Sequence, residues 1–205
     1  HGGGRIGVLV AGNGASDDAA KEALTNIAMQ IAAMNPQYIS RDEISADELA
    51  KMKEITIDSA LNDPFSLPKP VLSKLIEKAV AGVWSAEDVA IYEEKKSNMN
   101  FLPNFLSKEA KAQLAEIACA DKEEISGNKI FSGLVEGRIS KQMKEICLLD
   151  QVYVKAEDGK QTVAAYLKSV NPALKIAKFV RFEVGEGMEK KNEDFAAEVA
   201  KQMNV

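Results

Sequence analysis

The sequence predicts an α+β fold that carries an inserted helical arm. Three observations point there: a β-rich run near the start at 5–11, a second near the end at 174–185, and between them segment after segment with apolar residues at helical spacing. With 205 residues, 46% of them hydrophobic, the chain suits one large domain or two small ones, each able to close a core.

Residues 5–11 (RIGVLVA) have glycines on both sides and read as one strand ending in a turn. At Ser16 the pattern turns helical: Ser16 can cap, Asp17 and Asp18 suit the positive end of the helix dipole, and Leu24, Ile27, Ala28, Ile31 and Met34 recur at spacings of three and four. Asn35-Pro36 ends that helix. Residues 37–40 are extended, and Ser45-Ala46-Asp47-Glu48 is a capping box for a helix with Leu49, Met52 and Ile55 on its apolar face.

From 62 to 121, Pro64, Pro68, Pro70 and Pro103 punctuate shorter helical patterns at 69–81, 86–97 and 107–120. This reads as an inserted helical subdomain, with Trp84, Phe101 and Phe105 joining its pieces. Residues 122–150 contain no Pro and carry a stripe of Ile125, Phe131, Leu134, Val135, Ile139, Met143 and Ile146. Gly133 and Gly137, four apart, predict a helical arm packed closely on a partner helix. Beyond it, 153–155 is extended, Glu157-Asp158-Gly159 turns and 162–170 is a short helix. In the strand at 174–185, Val180, Phe182 and Val184 are expected on the core face, with Arg181 and Glu183 opposite. Asn192 caps a final helix bearing Phe195, Ala196, Val199 and Met203.

Charge excludes several function classes. The 26 Lys and Arg are interspersed with 31 Asp and Glu, for a net charge of −5, so no positive face is expected for nucleic acid or for an anionic membrane. The apolar stretch at 6–11 falls far short of the ~20 residues that span a bilayer. Cys119 and Cys147 lack a second pair for a disulfide framework and read as buried thiols in a reducing, cytoplasmic compartment. A chain that starts at His1 without Met is expected to be a piece of something longer.

The motifs that could carry chemistry are incomplete. His1-Gly2-Gly3-Gly4 is similar to the oxyanion-hole string of esterases, but His1 is the single histidine and no Gly-x-Ser-x-Gly elbow follows, so a turn before a strand is the better reading. Gly12-Asn13-Gly14 precedes a helix without the Gly-Lys-Ser/Thr of a phosphate loop, and Asp17-Asp18 would repel a pyrophosphate. Glu43, Glu48, Glu123 and Glu124 lie beside helix starts or alternate with lysines, as solvated faces do. Neither a metal nor a cofactor is expected. The residues read in this way describe an interaction protein rather than an enzyme.

Four strings, HGGGRIGVLV at 1–10, IAAMNPQY at 31–38, LVEGR at 134–138 and FVRFEVGEG at 179–187 with DFAAEV at 194–199, resemble in this order the C-terminal part of bacterial elongation factor Ts. That family is the guanine nucleotide exchange factor of elongation factor Tu: it binds the GDP-loaded factor, opens the nucleotide site and speeds GDP release. The resemblance implies that 1–61 and 170–205 form the second half of the family's core, a small antiparallel sheet covered by helices. Residues 122–150 correspond to one arm of its coiled coil, and 151–169 to the linker and helix of its C-terminal module. The insertion at 62–121 is longer than the family's usual connection.

By the same resemblance the partner-binding residues are His1, Gly2, Gly3, Gly4 and Arg5 at the strand start, with Val154 and Lys155 after the arm. The implied partner is elongation factor Tu, both GDP-bound and nucleotide-free. The family's Thr-Asp-Phe-Val-Ala-Lys-Asn motif, whose phenylalanine wedges near the magnesium site, does not occur in these 205 residues. Exchange is therefore expected of a full-length parent, and binding of this piece. The rival expectation is a binding or dimerisation module that pairs with a second copy and exchanges no nucleotide.

Overall fold

A computed structural model describes residues 3–185. Along the chain run β1 (Ile6–Asn13), α1 (Asp18–Met34), α2 (Ala46–Leu61), α3 (Lys69–Gly82), α4 (Ala86–Lys95), α5 (Lys108–Ala120), α6 (Lys122–Ser126), α7 (Lys129–Ile146), α8 (Val163–Val170) and β2 (Lys175–Glu183). The architecture is α+β, as expected. The final helix expected from Asn192 onward lies outside the described residues, as do His1 and Gly2. The chain divides into two compact units, one made of the residues up to Ile44 and from Met143 onward, the other of Ser45–Gln142.

In the first unit β1 and β2 pair antiparallel in a two-stranded sheet. Asp17 rather than Ser16 caps α1: its backbone is extended and its carboxylate accepts the Ala20 N–H at 3.0 Å. One face of the sheet carries Val8, Val10, Ile176 and Phe179, which pack with Ile27 and Ile31 of α1 and Leu167 of α8.

That packing reverses the expected orientation of β2. Ile176 pairs with Gly12 while Lys178 pairs with Ala11, so the pairing skips Ala177. Side chains alternate with period 2, and one skipped residue exchanges the faces of everything after it. Before the irregularity Leu174 and Ile176 point inward; after it Phe179 and Arg181 do. Phe182 is left 54% exposed, Leu9 across the sheet 65%, and Val184 is exposed as well. The Arg181 side chain is only 12% exposed and donates to the Ala32 carbonyl near the C-terminal end of α1 at 3.2 Å, where a cation suits the helix dipole. We expect Phe182→Ala to change stability by less than ~1 kcal/mol and Arg181→Ala to cost ~1.5–3 kcal/mol, the range for hydrogen bonds to charged groups. Paired urea melts check this; a larger loss for Phe182→Ala would return that ring to the core.

The second unit is helical throughout. Ser45 accepts the Glu48 N–H and starts α2, as the capping box predicts. Trp84 is buried, donates its indole N–H to the Ala110 carbonyl at 2.9 Å and meets Tyr92 edge-on. Phe101 and Phe105 do not join the pieces: both are exposed, and the neighbouring Leu102 and Leu106 fill the core instead. Asp88 ties α4 to α5. Its carboxylate accepts the Ser107 N–H at 3.1 Å, the Ser107 hydroxyl at 2.7 Å and the Ser85 hydroxyl at 2.9 Å, and those two serines cap the two helices. Burial pushes this carboxyl up, but the hydrogen bonds from Ser107 and Ser85 outweigh it and hold it below the ordinary carboxylate value.

Three further expectations are corrected here. The stretch 122–150 is not one continuous arm: α6 ends at Gly127, and the Asn128 side-chain Oδ1 accepts the N–H groups of Ile130 and Phe131 to start α7 afresh. Phe131 and Val135 then enter the core of the helical unit. Gly133 and Gly137 lie on the exposed side of α7, and an added Cβ at either would meet nothing within 4 Å. Without a close helix contact, a mid-helix glycine only weakens the helix. Gly137→Ala should therefore raise stability by up to ~1 kcal/mol, read as a higher melting temperature; a fall would reinstate a tight contact. Similarly, Cys147 is buried but Cys119 is exposed, because Ala110, Leu114 and Ala118 define the inward side of α5 and Cys119 is rotated off it.

Candidate partner-binding site

After the short 3-10 turn Leu148–Asp150, the chain leaves regular structure and crosses α1. Its backbone is tied at nearly every step. The Gln151 carbonyl accepts the Val163 N–H at 2.9 Å, and the Tyr153 N–H donates to the Gln161 carbonyl at 2.8 Å. The Val154 N–H donates to Gln30 Oε1 at 2.8 Å, and Gln30 Nε2 donates to the Val152 carbonyl at 3.0 Å. Tyr153 points inward and stacks on Tyr166, ring centroids 4.1 Å apart. Burial, then the Tyr166 hydroxyl beside it, push the Tyr153 phenol up to about 12, so it stays protonated at neutral pH. Its neighbours point the other way: Val152 and Val154 are each 48% exposed. Lys155 is exposed and its ammonium donates to Asn26 Oδ1 at 2.8 Å.

The two segments that the resemblance singled out thus have different settings. Val154 and Lys155 are brought together on α1. Gly3, Gly4 and Arg5 form the turn before β1, at the end of the sheet where the Arg5 carbonyl accepts the Val184 N–H at 2.8 Å. Gly3 and Gly4 both take positive φ, 71° and 86°, and stand in open space. His1 and Gly2 lie outside the described residues.

No nucleophile lies beside a general base within the segment, and among the described residues no group of three or more His, Cys, Asp or Glu could hold a metal ion. What the geometry offers is a fixed, partly apolar surface with a lysine at one end. Among the described residues, no helix is long and apolar enough to cross a membrane.

The sequence model of the family described as Elongation factor TS matches residues 1–186. The chain belongs to the elongation factor Ts family. It is 35% identical over 206 residues to elongation factor Ts of Clostridioides difficile (strain 630), a match that covers 99% of this chain and 48% of that protein. Over 212 residues it is 34% identical to elongation factor Ts of Desulforamulus reducens, with 100% of this chain and 70% of the relative covered. A third relative, elongation factor Ts of Alkaliphilus metalliredigens, is 36% identical over 208 residues, with 98% and 68% covered. The chain therefore spans about half the length of the first of these elongation factors Ts and about two thirds of the other two. The matched span contains both Gly3–Arg5 and Val154–Lys155.

Reading the sequence missed the residues that hold the segment. Gln30 falls on the apolar stripe of α1 directly before Ile31, and a polar side chain in that position was the available signal. Val152 was passed over because the extended piece was taken to begin at Tyr153.

Proposed function

We propose that this chain binds elongation factor Tu, GDP-loaded and nucleotide-free, and provides partner-holding surface for a guanine nucleotide exchange factor working in the cytoplasm. It transfers no chemical group and uses no cofactor; its effect on the partner is conformational. The observation that carries this reading is membership of the elongation factor Ts family over residues 1–186. The contact surface includes Gly3, Gly4 and Arg5, together with Val154 and Lys155; His1 and Gly2 extend the first segment.

Release of a fluorescent GDP from elongation factor Tu tests it directly. We expect the 205-residue chain to form a complex with the GDP-loaded factor and to speed release weakly or not at all, because the Thr-Asp-Phe string of the family is not among its residues. Strong acceleration by the chain alone would show that this string is dispensable. Absence of any complex at micromolar concentrations would refute partner binding.

A further inference from the structure

Among the described residues of the first unit, Gln30 and Gln151 are the two most deeply buried amides, 0% and 1% exposed. A buried amide left unpaired is costly, so such a residue persists only where its hydrogen bonds are made. Both ends of the Gln30 amide are engaged. Its Nε2 donates to Gln151 Oε1 at 3.2 Å and to the Val152 carbonyl at 3.0 Å, and its Oε1 accepts the Val154 N–H at 2.8 Å. Gln151 is held in turn, its Nε2 donating to the Glu145 carbonyl at 2.7 Å.

One helical turn earlier on α1, Asn26 grips the far end of the same segment. Its Oδ1 accepts from the Lys155 ammonium at 2.8 Å, and its Nδ2 donates to the Tyr166 hydroxyl at 2.8 Å. Residues spaced i, i+4 share one face of a helix, so the two side chains act side by side. The segment they hold is irregular, with Val152, Val154 and Lys155 exposed on either side of the buried Tyr153, and the Gln30 amide satisfies its inward-facing Val154 N–H and Val152 carbonyl. What it adds is rigidity: a satisfied polar network fixes one conformation, and a surface fixed before binding loses less entropy on docking.

We propose that Gln30 and Asn26 are positioning residues that lock residues 152–155 in the form in which Val152, Val154 and Lys155 meet elongation factor Tu. This rests on the partner-binding reading above, and it adds Val152 to the contact surface. The clamp acts before the encounter, so its loss is felt through Val154 and Lys155 rather than beside them.

A double-mutant cycle on the 205-residue chain tests the clamp, with binding to nucleotide-free elongation factor Tu measured for Gln30→Met, Val154→Ala and the pair. Methionine keeps the volume and removes all three hydrogen bonds. We expect each single change to weaken binding about tenfold, mostly through faster dissociation, and the pair to lose little more than either alone. In the unbound chain Gln30→Met should also speed hydrogen exchange at the Val154 amide, a local readout that does not depend on the partner. Losses that simply add, or a Gln30→Met chain that binds as tightly as the unchanged one while Val154→Ala binds worse, would overturn the clamp and leave partner binding standing. No binding by the unchanged chain would overturn both. If Gln30→Met does not fold, Asn26→Ala at a half-buried site carries the same cycle against Lys155→Ala, with the same outcomes.

Discussion

Gly14→Ala should destabilise the first unit by about 3 kcal/mol or more. Gly14 sits between β1 and α1 with φ of 86°, a left-handed backbone that costs a residue with a Cβ ~1–2 kcal/mol. Space is the greater obstacle. A Cβ at Gly14 would lie 1.8 Å from the Ala173 carbonyl oxygen and 2.8 Å from its carbon, and these are backbone atoms that cannot swing aside as a side-chain tip can. The turn that carries Ala173 is itself fixed, since the Asn171 side chain accepts the Ala173 N–H at 2.9 Å and the Asn171 carbonyl accepts the Leu174 N–H at 3.0 Å. Making room means moving the entry to β2. Gly159→Ala is the control, because Gly159 also has positive φ, 66°, but nothing within 4 Å of an added Cβ. Urea melts of the two variants separate the contact from the backbone effect. Equal losses would show that the close approach to Ala173 does not matter.

A second large loss is expected in the helical unit, where Phe131→Ala should cost ~3–5 kcal/mol. Phe131 follows the Asn128 cap by three residues and is fully buried in the cluster with Leu114, Leu102 and Val135. Removing its ring leaves a cavity among residues from helices already fixed by their caps, so little collapse can fill it. The single tryptophan, Trp84, lies in the same cluster, and its fluorescence follows the unfolding of this unit. Phe101→Ala, on an exposed ring, should shift the same transition by less than ~1 kcal/mol. If the two variants melt alike, Phe131 is not a core residue.

These contrasts locate what could be read from the chain and what could not. Helices with strong periodicity were legible, and at α2 so was the cap, Ser45; Ser85 before α4, Ser107 before α5 and Thr162 before α8 also accept an amide of the first turn, caps that the sequence reading does not single out. The orientation of β2 was not legible, because its hydrophobic pattern is continuous with either face until the partner strand shows where the pairing skips. The role of Gly137 was equally hidden, since a glycine in a helix is compatible with a tight crossing and with open water. For the candidate site, resemblance pointed to Val154 and Lys155, while Gln30 stayed out of sight. Its partners lie 121 to 124 residues further along the chain, a distance at which spacing rules carry no information.

The skipped Ala177 has a bearing on how this strand tolerates changes of length. Surface loops absorb insertions and deletions cheaply, and strand ends often fray without consequence. Here deletion of one small, exposed residue would splice Ile176 directly to Lys178 and restore strict alternation from Leu174 onward. Phe179 would stay inward opposite Val10 and Arg181 opposite Val8, with Val180 and Phe182 still on the outer face, so the guanidinium would keep its reach to the Ala32 carbonyl. Loss of Ala177 therefore removes only the bulge and leaves the two surfaces of the sheet as they are.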